Sequence, residues 1–409
     1  MTFPGSQLRE LFREPDFVRL WSIGALTMTM RWMEILVIGV YTFEVSGSAM
    51  VVAVMLFVRT CPGLFLGAFA GAIVERLDRR HVLAAALIIS VASVATLGAI
   101  AVLGEIELWQ IACGAFLNGL FWSLEFPTRR TLLGDVAGLP RIGAAMGFDS
   151  ATSNATRVLG PVIGGSLYES CGLAGPYFVG VLIYAIALFN TLTLRYRCKT
   201  VEATGASVLT ILRQGIAYIR SNRLLTGALV VTVLVNFFGA SYTSMVPVIG
   251  GQKFGLSAFP IGVMVAMEGL GAMFGGILIA FVCRPPQFAR VYLYGSYLYI
   301  AMIAVFSLAP GLAFSLPSLL LGGLGMAGFG AMQSALIFSV TERRMRRRVM
   351  GVLVVCIGAS PLGVLHTGLL AEWLGADIAI RVVALEGLAA LSVCFWRWPE
   401  LGRLSRLEN

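Results

Sequence analysis

Charged residues are scarce in this sequence. They make up 12% of the chain, whereas hydrophobic residues make up 58%, and a typical soluble domain carries about 25% charged residues. A soluble fold of 409 residues has too little interior to hide so much apolar surface. The scarcity of charge therefore excludes a soluble globular protein and indicates that lipid surrounds most of the chain.

Metal-binding side chains are also few. Histidine occurs only twice, as His81 and His366, which lie in different predicted elements. The seven cysteines are scattered without a CxxC pair and lie mostly in apolar runs, where cysteine behaves as a small hydrophobic residue. The sequence therefore predicts no metal site, and we expect no cofactor.

Signatures of catalysis and of ATP binding are missing. No glycine-rich loop ends in Lys-Ser or Lys-Thr, so ATP is not the expected source of energy. No HExxH motif or Ser/His cluster is present either, and we expect no catalytic residue and no enzyme activity. A membrane-embedded enzyme is the distant alternative.

Apolar runs long enough to cross a bilayer dominate what is present, since a crossing helix needs about 20 apolar residues. They predict an all-α membrane protein of about twelve transmembrane helices in two pseudo-symmetric six-helix bundles. The predicted domains are 1–194, a cytoplasmic linker at 195–223 with an amphipathic helix, and 224–409 with a short tail. The predicted spans are 17–43, 49–74, 82–103, 108–127, 145–168, 174–194, 224–248, 257–283, 288–308, 313–338, 349–370 and 376–396.

Positive charge predicts the orientation of these spans. Of the 30 Lys and Arg residues, 24 fall in the termini and the loops on the same predicted side as the termini, whereas only Lys253 and Arg381 fall in the opposite loops. Loops rich in Arg and Lys remain cytoplasmic, so both termini are predicted to be cytoplasmic in a multi-pass inner-membrane protein. The net charge of +9 is then explained by topology, and no nucleic-acid partner is expected.

The two halves repeat the same features about 200 residues apart. Span 2 carries Gly63, Gly67 and Gly71, and span 8 carries Gly271 and Gly275; similarly, Gly160-Pro161 in span 5 matches Ser360-Pro361 in span 11. Small residues at this spacing allow helix backbones to approach closely. Internal repetition with Gly/Pro-interrupted helices is typical of secondary transporters, although ordinary helix packing explains any one motif.

The loop after span 2 reads Gly71-Ala-Ile-Val-Glu75-Arg76-Leu-Asp78-Arg79-Arg80, that is, a glycine, an acid four residues later and then basic residues. This run resembles the loop signature of the major facilitator superfamily. Glu75 stands where that family usually has Asp, and Asp78 stands where Gly is common. The resemblance implies that the acid and the basic residues pair with the end of a neighbouring helix and lock the outward-facing state. Glu125 precedes Arg129 by one turn at the end of span 4, and this spacing favours an ion pair with a gate or structural role. The candidate gate residues are Gly71, Glu75, Arg76, Asp78, Arg79, Arg80, Glu125 and Arg129. A plain positive loop is the alternative.

Further motifs extend the resemblance over nearly the whole chain. The run Gly160, Pro161, Gly164 and Gly165 is similar to the span 5 motif of exporters in the superfamily, which implies a kinked helix at the interface between halves. Pro127-Thr-Arg129, Arg348-Val-Met-Gly351 and Pro361-Leu-Gly363 resemble the branch that includes enterobactin exporters and macrolide efflux pumps. Export is implied by this resemblance alone.

Ionisable residues inside the spans mark candidate coupling sites, because a charge at bilayer depth is costly unless paired or hydrated. Glu34 and Glu268 are the candidates for proton carriage, with Arg31 as the neighbour of Glu34; a fixed Arg31–Glu34 pair is the alternative. Glu386 is expected to have a packing role. The predicted coupling set is Glu34, Arg31, Glu268, Arg59, Arg157 and His366.

The combined prediction is a secondary-active, proton-coupled exporter of a small amphipathic or anionic solute that works by alternating access. Its expected partners are a small-molecule solute, protons and the lipid bilayer, and it is expected to be a monomer. A proton-coupled importer of a nutrient is the alternative.

Overall fold

The computed structural model describes residues 9–74, 78–196, 208–342 and 344–402, and in these ranges the chain consists of helices joined by short turns and contains no strand. Helices satisfy their own backbone hydrogen bonds, as a bilayer requires. The helices are α1 Pro15–Ser46, α2 Ala49–Val74, α3 Arg79–Leu103, α4 Leu108–Ala137, α5 Ile142–Cys171, α6 Ala174–Leu192, α7 Val208–Ser221, α8 Arg223–Leu234, α9 Val246–Gln252, α10 Ala258–Val282, α11 Phe288–Ser307, α12 Leu312–Val340, α13 Arg346–Ile357, α14 Ser360–Leu374 and α15 Ala376–Arg397.

Within the described residues, nine helical segments are long and apolar enough to cross a membrane, and α2 adds a shorter apolar stretch over Ala49–Leu64. Helices α4 and α5 are also long enough, at 30 residues each, but are not among the nine. Of their charged residues, Glu125, Arg129 and Asp149 are buried and belong to the site described below. Together the segments confirm the predicted all-α membrane fold of about twelve spans.

Helix α4 is longer than predicted. Span 4 was expected to end at residue 127, but the helix runs through Pro127 to Ala137. The prediction failed because Arg129 and Arg130 look like the start of a cytoplasmic loop, whereas ion pairs hold both within the helical stack.

Two predicted spans are interrupted. Between α8 and α9 the chain forms a π-turn at Val235–Gly239 and a 3₁₀ turn at Ala240–Ser244. The eleventh span is divided into α13 and α14 just before Pro361. Such π and 3₁₀ segments inside a helix often occur at functional sites.

Contacts divide the chain into two units. The first contains Met1–Tyr41 and Val58–Gly205, and the second contains Thr42–Phe57 and Ala206–Asn409. In the second unit the amphipathic helix α7 packs against α13, where a Cβ at Gly215 would lie 2.8 Å from the Arg348 carbonyl oxygen. Its apolar residue Ile219 joins a buried cluster with Val349 and Leu353, so protein covers part of its apolar face.

Candidate functional site

Glu34 on α1 lies in a buried ion pair in the first unit. Its Oε2 accepts hydrogen bonds from Arg59 Nη2 at 3.0 Å and Nε at 3.3 Å, and its Oε1 accepts one from Asn118 Nδ2 at 2.7 Å. All three side chains are buried, with relative exposures of 1–3%. A fully buried charge pair persists only when hydrogen bonds satisfy it, and here α1, α2 and α4 each contribute one member.

Arg31 does not form the pair that its spacing from Glu34 suggested. Its guanidinium carbon lies 3.6 Å from the centroid of the Trp122 ring and 6.0 Å from that of Trp32. In the same unit, the guanidinium carbon of Arg157 lies 4.9 Å from the Trp32 ring centroid. The partner of Glu34 is therefore Arg59, and Arg31 instead makes a cation–π contact.

A second buried charge network joins α4 to α5. The Arg129 Nε donates to Glu125 Oε1 at 2.7 Å, and its Nη1 donates to Asp149 Oδ1 at 2.6 Å. Arg130 Nε donates to the other oxygen of Asp149 at 3.0 Å. The predicted Glu125–Arg129 ion pair is thus present, and its two acids and two arginines balance in charge.

Gly24 on α1 makes room for this network. A Cβ there would lie 2.8 Å from Arg129 Nε and closer still to other guanidinium atoms. The hydroxyl of Thr27 on α1 contacts Glu125 Oε1 at 3.4 Å. The α1 backbone therefore passes directly over the Arg129 guanidinium, which explains why a glycine occupies this position.

The candidate gate loop bonds to the ends of two helices. Asp78 caps α3 by accepting from the Arg80 backbone N–H at 2.9 Å. Arg79 Nη1 donates to Asp135 near the end of α4 at 3.2 Å, and the Arg80 guanidinium donates to the Leu192 carbonyl at the end of α6. Glu75 and Arg76 lie outside the described residues, and Gly71 lies in α2.

The span 5 motif packs α5 against α1. A Cβ at Gly160 would lie 2.6 Å from Trp32 Cβ, and one at Gly164 would lie 2.7 Å from Met33 Cγ. Pro161 and Gly165 are buried on the same helix, which continues through the proline. In this structure, these glycines allow α5 to pack closely against α1 within the first unit.

In the second unit, Glu268 on α10 is buried and accepts a hydrogen bond from the Tyr242 hydroxyl. Glu268 and Arg59 occupy matching places in the two units. A Cβ at Gly323 would lie 2.9 Å from the Glu268 carbonyl carbon, and a Cβ at Gly119 would lie 2.9 Å from the Arg59 carbonyl carbon. The internal repeat therefore places a basic residue in one unit where the other has an acid.

Tyr242 lies in the 3₁₀ turn that interrupts the seventh span. Helix α14 passes close to this interrupted segment. A Cβ at Gly363 would lie 2.9 Å from Phe237 Cα in the π-turn. The His366 ring lies 5.5 Å from that of Phe237, and its Nε2 lies 2.9 Å from Glu386 Oε2. Glu386 thus pairs with His366 across α14 and α15; its role and that of His366 stay predictions.

Asp149 escaped prediction. It lies inside predicted span 145–168 and is an ionisable residue in an apolar run, which is the signal that could have found it. Asn118 and Tyr242 are polar residues inside predicted spans that the predicted site set left out. No group of three or more potential metal ligands occurs among the residues that the structure describes.

The sequence profile of the transmembrane secretion effector family matches residues 10–403. The chain belongs to this family of major facilitator transporters. It is 21% identical over 379 residues to the staphyloferrin A transporter of Staphylococcus aureus (strain NCTC 8325 / PS 47), covering 91% of this chain and 93% of that protein. It is also 21% identical over 265 residues to macrolide efflux protein A of Streptococcus pyogenes, covering 64% and 65%.

Solved structures share this family member's fold. A POT family transporter in complex with a thioalcohol-conjugated peptide superposes with a TM-score of 0.78 at 10% identity, covering 95% of this chain and 96% of that one. The nucleoside transporter NupG superposes with a TM-score of 0.70 at 14% identity, covering 93% and 98%. These structures show the shared fold. The family match over residues 10–403 makes the chain a multi-pass membrane transporter and not an enzyme, as predicted.

Proposed function

We propose that this family member exports a small amphipathic or anionic solute in exchange for protons, by alternating access. The observation that carries the proposal is the buried Glu34–Arg59 pair with its third partner Asn118. A carboxylate at bilayer depth is stable while paired, and it becomes neutral when it takes up a proton. One proton then changes the charge balance of α1, α2 and α4 together.

Proton uptake at Glu34 weakens its attraction to Arg59, because a neutral acid no longer compensates the guanidinium. Exchange requires proton uptake to oppose solute binding, so in this proposal the weakened pair alters the packing of α1 against α2 and thereby releases the solute. Glu268 with Tyr242 supplies a second buried carboxyl group in the other unit. Protonation of either carboxyl and release of the solute are thus coupled.

The direction of transport rests on similarity. The matched relatives are named for efflux of macrolides and for transport of staphyloferrin A, which supports a drug-like or siderophore-like solute for this chain. A proton-coupled importer is the second candidate. We further propose an inner-membrane monomer with cytoplasmic termini, gated at its cytoplasmic ends by the loop at 78–80 and the Arg129 network.

Comparison of the culture media of cells with and without the gene identifies the exported solute. Inside-out vesicles with an acidic lumen then test the mechanism. Addition of that solute is expected to release lumenal protons, measured by a pH-sensitive dye, and to drive solute accumulation that a protonophore abolishes. Accumulation that ignores the protonophore would reject proton coupling, and accumulation only under the reversed gradient would favour import.

Two variants assign the coupling residues. Glu34→Gln and Glu268→Gln are expected to insert normally but to lose proton-driven accumulation. Glu105→Gln, in the exposed turn between α3 and α4, is the matched control and should transport like the wild type. Unchanged transport in either buried variant removes that residue from the mechanism.

A further inference from the structure

Two hydrogen-bond donors on α1 and α4 have no partner among the described residues. They are Arg31 Nη1 and Trp122 Nε1, and both atoms are buried. The two side chains are in contact, since the Arg31 guanidinium carbon lies 3.6 Å from the Trp122 ring centroid. Buried polar atoms are nearly always hydrogen-bonded, so these two donors indicate a binding site for a ligand that supplies acceptor atoms.

Each nearby acid forms an ion pair with an arginine other than Arg31, so the charge of Arg31 is not compensated by them. Glu34 is paired with Arg59, and Glu125 is paired with Arg129. Asp149 is shared by Arg129 and Arg130. Arg31 has no ion-pair partner in the part of the chain that the structure describes, and its surroundings therefore favour a ligand with negative charge.

Further aromatic rings lie next to Arg31 and Trp122. The Trp32 ring is near the guanidinium groups of both Arg31 and Arg157, whose central carbons lie 6.0 and 4.9 Å from its centroid. Trp122 is stacked on Phe126 with ring centroids 5.4 Å apart. Cationic and aromatic side chains thus alternate across α5, α1 and α4, which suits a planar group that carries an anion.

We propose that Arg31 and Trp122 anchor the transported solute through a carboxylate or a similar oxyanion, with the solute's planar part against the neighbouring rings. The Arg31 guanidinium and the Trp122 indole N–H donate hydrogen bonds to the oxyanion. The inference rests on the proposed transport function and names its substrate class as small planar organic anions.

Equilibrium binding to the purified protein in lipid nanodiscs tests the anchor without a proton gradient. The probes are benzoate, 2-naphthoate and 9-anthroate, each compared with its neutral amide by calorimetry. The wild type should bind at least one carboxylate about tenfold or more tightly than the matching amide, because hydrogen bonds to charged groups are the stronger ones. No preference for any carboxylate overturns the proposal.

Variants locate the site. Arg31→Gln should weaken carboxylate binding about tenfold to hundredfold and leave amide binding unchanged. Trp122→Phe keeps the ring but loses the N–H, and it should weaken carboxylate binding by about three- to tenfold. Arg344→Gln, on an exposed side chain, is the control and should bind like the wild type.

Thermal unfolding of each variant shows whether it is folded. A folded Arg31→Gln protein that binds carboxylates like the wild type overturns the anchor. Should Arg31→Gln not fold, then Trp122→Phe and the carboxylate-to-amide ratio decide. If the protein shows no carboxylate preference but still exports solute in a proton-driven manner, only the Arg31–Trp122 anchor is rejected. If binding depends on Arg31 but a proton gradient does not move the solute, only the proposed proton coupling is rejected.

Discussion

The Glu34 carboxylate accepts two hydrogen bonds from the Arg59 guanidinium, at 3.0 and 3.3 Å, although the residues lie 25 positions apart on different helices. Both side chains are buried. Removal of one partner from such a pair leaves an uncompensated buried charge, which costs more than removal of both. This relationship makes the pair testable by stability as well as by transport.

Arg59→Met is expected to destabilise the protein by about 3–5 kcal/mol, because it leaves the buried Glu34 carboxyl group without its main partner. The double variant Arg59→Met/Glu34→Gln should recover much of that loss. The measurement is thermal unfolding in one detergent, with the order wild type, double variant, single variant in falling Tm. A single variant as stable as the double variant would contradict a coupled pair.

The sequence predicted some contacts of this site and not others. Glu125 and Arg129 lie one helical turn apart, so their pairing follows from helix geometry alone. Arg59 meets Glu34, and Arg129 meets Asp149, only through helix packing. Spacing within one helix pointed instead to Arg31 as the partner of Glu34.

The same limit applies to the fold. Apolar length and the distribution of basic residues predicted the spans, because a bilayer imposes both. The π-turn at Val235–Gly239 had no such signal, since its residues are apolar and compatible with a regular helix. Its geometry depends on neighbours such as Tyr299, whose hydroxyl donates to the Gly239 carbonyl at 3.3 Å.

Arg129→Lys is expected to destabilise the protein strongly, by about 2–5 kcal/mol. A lysine ammonium cannot reproduce the planar fork that reaches Glu125 and Asp149 at once. Arg130→Lys is the matched control, because the Arg130 side chain is about one-third exposed and its ion pair contributes less than about 1 kcal/mol. Thermal unfolding compares the two, and equal losses would argue against a buried network centred on Arg129.

Gly160→Ala is expected to destabilise the contact of α5 with α1 by about 1–3 kcal/mol. The new Cβ would lie 2.6 Å from Trp32 Cβ and 2.8 Å from the Thr29 carbonyl oxygen, so one helix must shift. Gly147→Ala on the same helix is the control, because nothing lies within 4 Å of its Cβ position and alanine favours a helix by up to about 1 kcal/mol. Unfolding temperatures should move in opposite directions, and a neutral Gly160→Ala would show that α1 and α5 are less tightly packed.

Site-directed labelling tests the orientation on which the export proposal depends. Cys171 is exposed at the end of α5 and lies on the predicted external side, whereas His81 and Arg344, whose side chains are 83% and 79% exposed, lie on the predicted cytoplasmic side. In proteins with one cysteine each, a membrane-impermeant maleimide should label Cys171 in intact cells. His81→Cys and Arg344→Cys should react only after the cells are permeabilised. Both cytoplasmic positions must behave alike, because an even number of spans separates them in a twelve-helix chain. Labelling of one without the other would require a different number of crossings between α3 and α13. That result would remove the basis for two matched six-helix halves.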